Sequence, residues 1–185
     1  MPSPAGHTVF QLRISLDEVE PTVWRRLLVP GGVRLDKLHG MLQAAMGWTD
    51  SHLHAFTIGD DRFGPCFDDF PEDEIDEKDV TVIRGIGAHD QFSYEYDFGD
   101  GWAHEILVED RITLRHGLKY AVCLAGENAC PPEDCGGPGG YEQLLEVLAD
   151  PAHEDHEELI EWAGGPLDPR AFDVAAVNVG LQRVR

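Results

Sequence analysis

The chain has 185 residues, 42% of them hydrophobic, and sets 14 Lys and Arg against 35 Asp and Glu for a formal charge of −21. That apolar content over that length buries one sizeable core, which excludes global disorder and fits a single domain over 9–185 behind a flexible N-terminus, 1–8. The charge repels a phosphate backbone at long range and disfavours nucleic acid as a partner. No run reaches the roughly 18 apolar residues of a membrane span, and "MPSPAGHT" has neither a basic start nor an apolar signal core, so a cytoplasmic protein is expected.

In chain order, "VFQLRISL" places Phe10, Leu12, Ile14 and Leu16 on one face, the period of a half-buried strand. After a turn at Pro21, "VWRRLLVP" pairs back as a second strand and ends at Pro30-Gly31-Gly32. Arg25 and Arg26 point to opposite faces of that strand, so either one of them nears the inner surface and needs an acidic partner, or both are solvated at the sheet edge. In "LDKLHGMLQAAMGW" the residues Leu35, Leu38, Leu42, Ala45 and Met46 recur at helical steps. His39 lies beside that stripe and reads as a hydrogen-bonded imidazole at the edge of the core.

After Gly47 the period changes to two. In "SHLHAFTI" the residues His52, His54, Phe56 and Ile58 share a strand face. Side chains two apart on a strand stand roughly 6 to 7 Å apart, close enough for two imidazoles to converge on one ion. The acidic run that follows, at 66–79, holds Asp68, Asp69, Glu72, Asp73, Glu74, Asp76, Glu77 and Asp79 and is expected to be a solvated, mobile loop. It lacks the central glycine and ligand spacing of a calcium-binding loop.

From Asp90 to Ile112 the sequence predicts a long hairpin. Phe92, Tyr94, Tyr96 and Phe98 alternate outward, Gly99-Asp100-Gly101 turns, and Trp102, His104, Ile106 and Val108 alternate back. His104 falls where an apolar side chain is expected and so must be hydrogen-bonded or ligated. Asp97, just before the turn, is placed to cap the turn amides, orient a histidine or bind a metal directly.

A short strand then closes the sheet, followed by a Pro/Gly-rich loop and a helix with Tyr141, Leu144, Leu145 and Leu148 inward. That loop lacks the phosphate-loop pattern. Its Glu133 and Asp134 are placed to cap the helix or join a polar site. The four cysteines, Cys66, Cys123, Cys130 and Cys135, lack the Cys-x2-Cys spacing of a zinc knuckle and read as reduced thiols. The chain closes with an acidic helix ended by Gly164-Gly165 and a terminal helix begun at Asp173.

Four stretches, "VWRRLLVP", "LDKLHGMLQAAMGWTDSHLHAF", "YEYDFGDGWAHEI" and "ACPPEDCGGPGGYEQLLEVLADP", appear in that order. They resemble the family named for the third open reading frame of the Ri plasmid, whose relatives are often labelled insertion-element passengers, resolvase-like. The resemblance runs from Phe10 to about Leu181. Arg34 departs from the Ser/Thr-type helix start of that family. What the resemblance implies is an α+β fold and a link to plasmids and mobile elements, without a catalytic mechanism. A serine recombinase needs a nucleophilic serine among several arginines and a basic DNA-reading segment, and Ser15, Ser51 and Ser93 have no such surroundings.

The expected architecture is therefore a single α+β domain: a mostly antiparallel sheet, one helix packed on it after the second strand, and C-terminal helices. The expected site gathers His52, His54, Asp97 and His104 as a polar constellation that stabilises the fold, holds a ligand, or holds a divalent metal such as zinc, manganese or iron. Arg25, Arg26, His39, Trp48, Trp102, Cys130, Glu133, Asp134 and Cys135 stand as structural or ligand-binding neighbours. One reading is an accessory module that binds a protein or small-molecule ligand without turnover. The other is a metal-dependent hydrolase, with Asp100 or Glu105 as the base. The first is favoured, because three histidines and a carboxylate fill a closed metal site and the sequence shows no nucleophile–base pair.

Overall fold

The computed structural model describes residues 6–66 and 74–184. Eight strands and five helices follow in the order β1 (His7–Leu16), β2 (Trp24–Pro30), α1 (Leu35–Met46), β3 (His54–Ile58), β4 (Asp61–Gly64), β5 (Glu74–Asp76), α2 (Val82–Ile86), β6 (Gln91–Tyr96), β7 (Trp102–Leu114), β8 (Val122–Glu127), α3 (Gly137–Ala149), α4 (His156–Trp162) and α5 (Val174–Leu181). The strands form one sheet in the order β5-β4-β3-β6-β7-β1-β2-β8. Every neighbouring pair is antiparallel except β4 with β5. This is the α+β architecture expected from the sequence.

The period-two stretches bury one face each. Leu12 and Ile14 of β1, Leu27 and Val29 of β2, Phe56 and Ile58 of β3, and Phe92, Trp102 and Ile106 of the hairpin form one core with Leu35, Leu38 and Leu42 of α1. Burying a side chain of that size is worth about 1.5–3 kcal/mol. α1 stops at Gly47, which adopts φ +92 and donates its N–H to the Gln43 carbonyl, a left-handed cap that glycine takes without strain. The start of α1 has no side-chain cap. Instead the Leu35 N–H donates to the Val80 carbonyl across the chain, and Arg34 turns its guanidinium onto Asp36 at 2.9 Å. The helix therefore tolerates arginine at that position, because a neighbouring segment satisfies its first amide.

Several expectations are corrected. β3 begins at His54, so His52 lies in the preceding bend and does not share a strand face with it. Phe98 leaves the hairpin alternation for the turn and is 43% exposed. Within the acidic run, Asp68, Asp69, Glu72 and Asp73 lie outside the described residues. Its end is no loop: Glu74–Asp76 pairs with β4, and Glu77–Asp79 forms a 3-10 turn in which Glu77 is buried. A carboxylate tolerates that burial only with a hydrogen-bond donor facing it, which His54 supplies.

Arg25 and Arg26 do take opposite faces. Arg26 pairs with Glu109 on the open side of the sheet at 2.6 and 2.7 Å. The buried Arg25 meets no carboxylate. It donates to the backbone carbonyls of Ala45, Trp24, Glu127 and Asn128 at 2.8–3.0 Å, and its guanidinium stacks on Phe172. Carbonyl dipoles replace the expected acidic partner, and burial pulls the basicity of the group below its ordinary value.

The glycine-rich stretch before α3 serves close packing. A Cβ on Gly137, where φ is +69, would stand 2.3 Å from the Asp100 carbonyl oxygen in the hairpin turn. α5 closes the far edge of the sheet. The Asn178 amide accepts from the Cys123 N–H and donates to the Cys123 carbonyl, both at 2.9 Å, on the outer side of β8. No helix among the described residues is long and apolar enough to cross a membrane.

Candidate functional site

Three chain segments meet at one end of the sheet: the loop between α1 and β3, the β6–β7 turn, and the Pro/Gly-rich loop before α3. Asp97 organises the turn. At φ +54 it accepts from the Gly101 amide through its carbonyl, and its Oδ1 takes the Gly99 and Asp100 amides at 3.0 and 3.4 Å. Its other oxygen, Oδ2, is left facing His52 Nε2 at 3.6 Å, and Asp134 Oδ1 faces the same nitrogen at 3.1 Å. The Asp97 oxygen lies beyond hydrogen-bond reach and the Asp134 oxygen makes no hydrogen bond, so His52 Nε2, closed off from solvent, has no hydrogen-bond partner. Ligands at about 2.1 Å from a tetrahedral ion lie about 3.4 Å apart along each edge, and the two measured spacings bracket that length.

Neighbouring groups fasten this arrangement. Glu133 accepts from the Thr49 amide and hydroxyl and from the Tyr96 hydroxyl, joining its own loop to the α1–β3 loop and to the last residue of β6 through one carboxylate. Burial pushes the Glu133 carboxyl up, but those donors outweigh it and hold the group below its ordinary value. The Tyr96 phenol is pushed up by burial and by its bond to Glu133. Trp48 donates to the Pro131 carbonyl at 3.0 Å and stacks on Tyr96. Asp100 Oδ2 accepts from the Gly136 amide at 3.1 Å, a structural task for a residue considered as a base. Cys130 and Cys135 are free thiols, and burial raises both, Cys135 to about 11.

The other two histidines go elsewhere. His54 is buried, its Nε2 lies 2.8 Å from Glu77 Oε2, and its ring lies flat on His39 at 3.4 Å with planes 2° apart. His39 belongs to a closed circuit. Asp50 N–H donates to Gln43 Oε1, Gln43 donates to the Tyr94 hydroxyl, Tyr94 donates to His39 Nδ1, and His39 Nε2–H donates to Asp50 Oδ1, all at 2.7–3.0 Å. That circuit closes only with a neutral His39, and burial and then the nearby His54 lower its basicity accordingly. Both ring nitrogens of His39 are thus engaged in hydrogen bonds at the edge of the core.

His104 is fully buried beneath the edge of Trp48, with Nδ1 facing the Tyr94 and Trp102 carbonyls at 3.2 and 3.0 Å. Two acceptors there assign the proton to Nδ1, and Nε2 has no partner. Trp102 is fully buried in the same layer. Glu105 is exposed on the opposite face of β7, pointing away from His104. The expected set of His52, His54, Asp97 and His104 therefore divides among three places. Only His52 and Asp97 meet, and the third member of their group is Asp134.

Asp134 and Glu133 were legible as a polar pair held between prolines and glycines. Thr49 and Tyr96, which complete the support, carried no sequence signal, because their roles depend on the contact between loops distant in the chain.

The fold is a single α+β domain in which a helix-covered sheet brings histidine and carboxylate side chains together on converging loops. The chain belongs to the plasmid pRiA4b ORF-3-like protein family, which it matches over residues 8–176. An uncharacterized protein of Sinorhizobium fredii, y4hQ, is 45% identical over 174 residues, covering 92% of this chain and 87% of that protein. The crystal structure of a protein of unknown function from Methanosarcina mazei Go1 shares the fold, with a TM-score of 0.83 at 34% identity over 92% of this chain and 97% of the other.

Proposed function

We propose that this protein is a plasmid- or mobile-element-associated accessory module whose His52–Asp97–Asp134 site binds a divalent metal ion without turnover. The observation that carries the reading is the shielded, unpartnered His52 Nε2 lying between two carboxylate oxygens at 3.1 and 3.6 Å. A neutral imidazole with its proton on Nδ1 presents a lone pair there, and two carboxylates supply the opposing charge. Asp97 has one oxygen committed to the turn and one free, which orients a ligand rigidly. The mixed nitrogen and oxygen donor set suits zinc, manganese or iron. Asp100 and Glu105 are turned to other tasks or another face, which supports binding over hydrolysis.

The test is metal content by elemental mass spectrometry and calorimetric titration with zinc and manganese on untagged protein. The expected result is about one equivalent per chain, abolished by His52→Ala and by Asp97→Asn but retained in His54→Ala. No saturable uptake by the unaltered protein, or uptake that survives His52→Ala, would overturn the reading.

A further inference from the structure

A groove of about 400 Å³ runs between α3 and α4 and opens beside the loop that carries Asp134. We propose that it docks a basic segment of a partner protein, with the aliphatic stems of Arg or Lys side chains on its floor and their charges on its rim. This does not depend on a metal at His52, although Asp134 borders both places.

Leu144, Val147 and Leu159 form the apolar floor. Trp162 stands at one wall with 47% of its surface exposed, which leaves a broad aromatic face open to the groove. The rim is acidic, with Asp155 and Glu158 beside Asp134. Among the described residues no Lys or Arg pairs with any of the three; their only ionic neighbours are His52 and His153. The deficit extends along the chain: residues 120–169 contain twelve Asp and Glu and no Lys or Arg. α4 is held in place by the His156 imidazole, which donates to the Val147 carbonyl at 3.0 Å, so the groove is preformed.

This combination selects its occupant. An anionic or purely apolar segment would bring no charge to offset the rim. A free metal ion would leave the floor uncovered. An arginine or lysine places three or four methylenes on the apolar floor while its head reaches the carboxylates, and a guanidinium gains further from the face of Trp162. The charge of −21 also accelerates encounter with a basic partner.

The test uses the full chain in chelator, so that metal binding has no influence. Fluorescein-labelled nine-residue peptides alternate Leu with Arg, Lys or Gln, and binding is read by anisotropy. The expected result is saturable binding of the Arg and Lys peptides and none of the Gln peptide. Asp155→Lys with Glu158→Lys should weaken the cationic peptides by about tenfold or more, whereas the same charge change at Glu142→Lys with Glu146→Lys, outside the groove lining, should cost less than about threefold. Equal losses from the two double variants would reduce the effect to net charge and overturn the proposal. So would binding of the Gln peptide, absence of saturable binding by either cationic peptide up to about 1 mM, or a dimer in sedimentation that covers the groove.

Discussion

Acidification should test the burial of His104 more sharply than any truncation. The ring has no exposed surface, its Nδ1–H is committed to two carbonyls, and a proton added to Nε2 would find no acceptor. Burial accordingly lowers its pKa from 6.5 to about 4. Because the unfolded chain binds this proton more readily than the folded one, stability is full above the unfolded value and falls as pH drops from 6.5 towards 4. The difference corresponds to a loss of about 3 kcal/mol. Urea denaturation at pH 7.5, 6, 5 and 4 measures it, against a His104→Asn variant whose side-chain N–H replaces Nδ1–H but does not titrate. Subtracting the two profiles removes the carboxylates and other histidines. The difference should grow by about 3 kcal/mol across that window. Parallel profiles would refute the assignment of a buried, neutral His104.

Two further substitutions address the packing. Tyr94→Phe removes the hydroxyl that joins Gln43 to His39 and leaves two buried polar groups without a partner, so it should cost about 2–4 kcal/mol by denaturant midpoint with an unchanged slope. A loss below about 0.5 kcal/mol would show that the circuit is dispensable. Gly137→Ala should destabilise by about 2 kcal/mol or more, because its Cβ meets the Asp100 carbonyl at a positive φ. An unchanged melting temperature would disprove that close approach.

Where one face of a local element decided the matter, the sequence sufficed. β1, β2, α1 and the long hairpin follow from periods of two and 3.6, and Asp173 does cap α5 by accepting from Ala175 and Ala176. The candidate site was half legible, and its errors have local causes. The parity argument joined His52 to His54, but β3 starts at His54, and a strand begun two residues late gives the earlier side chain to a bend. Glu77 resembled its solvated neighbours because only a distant imidazole justifies its burial. Arg25 was read as needing a carboxylate because sequence does not disclose carbonyls converging from α1, its own strand and the end of β8.

The Asn178 amide beside β8 bears on how this chain behaves in a crowded solution. A terminal strand with free N–H and C=O groups invites the strand of another molecule, which is how sheets propagate into aggregates. Asn178 offers one donor and one acceptor in the places a ninth strand would use, satisfying both groups of Cys123. At Cys123 the open flank of the eight-stranded sheet is thereby closed to a further strand by a single carboxamide.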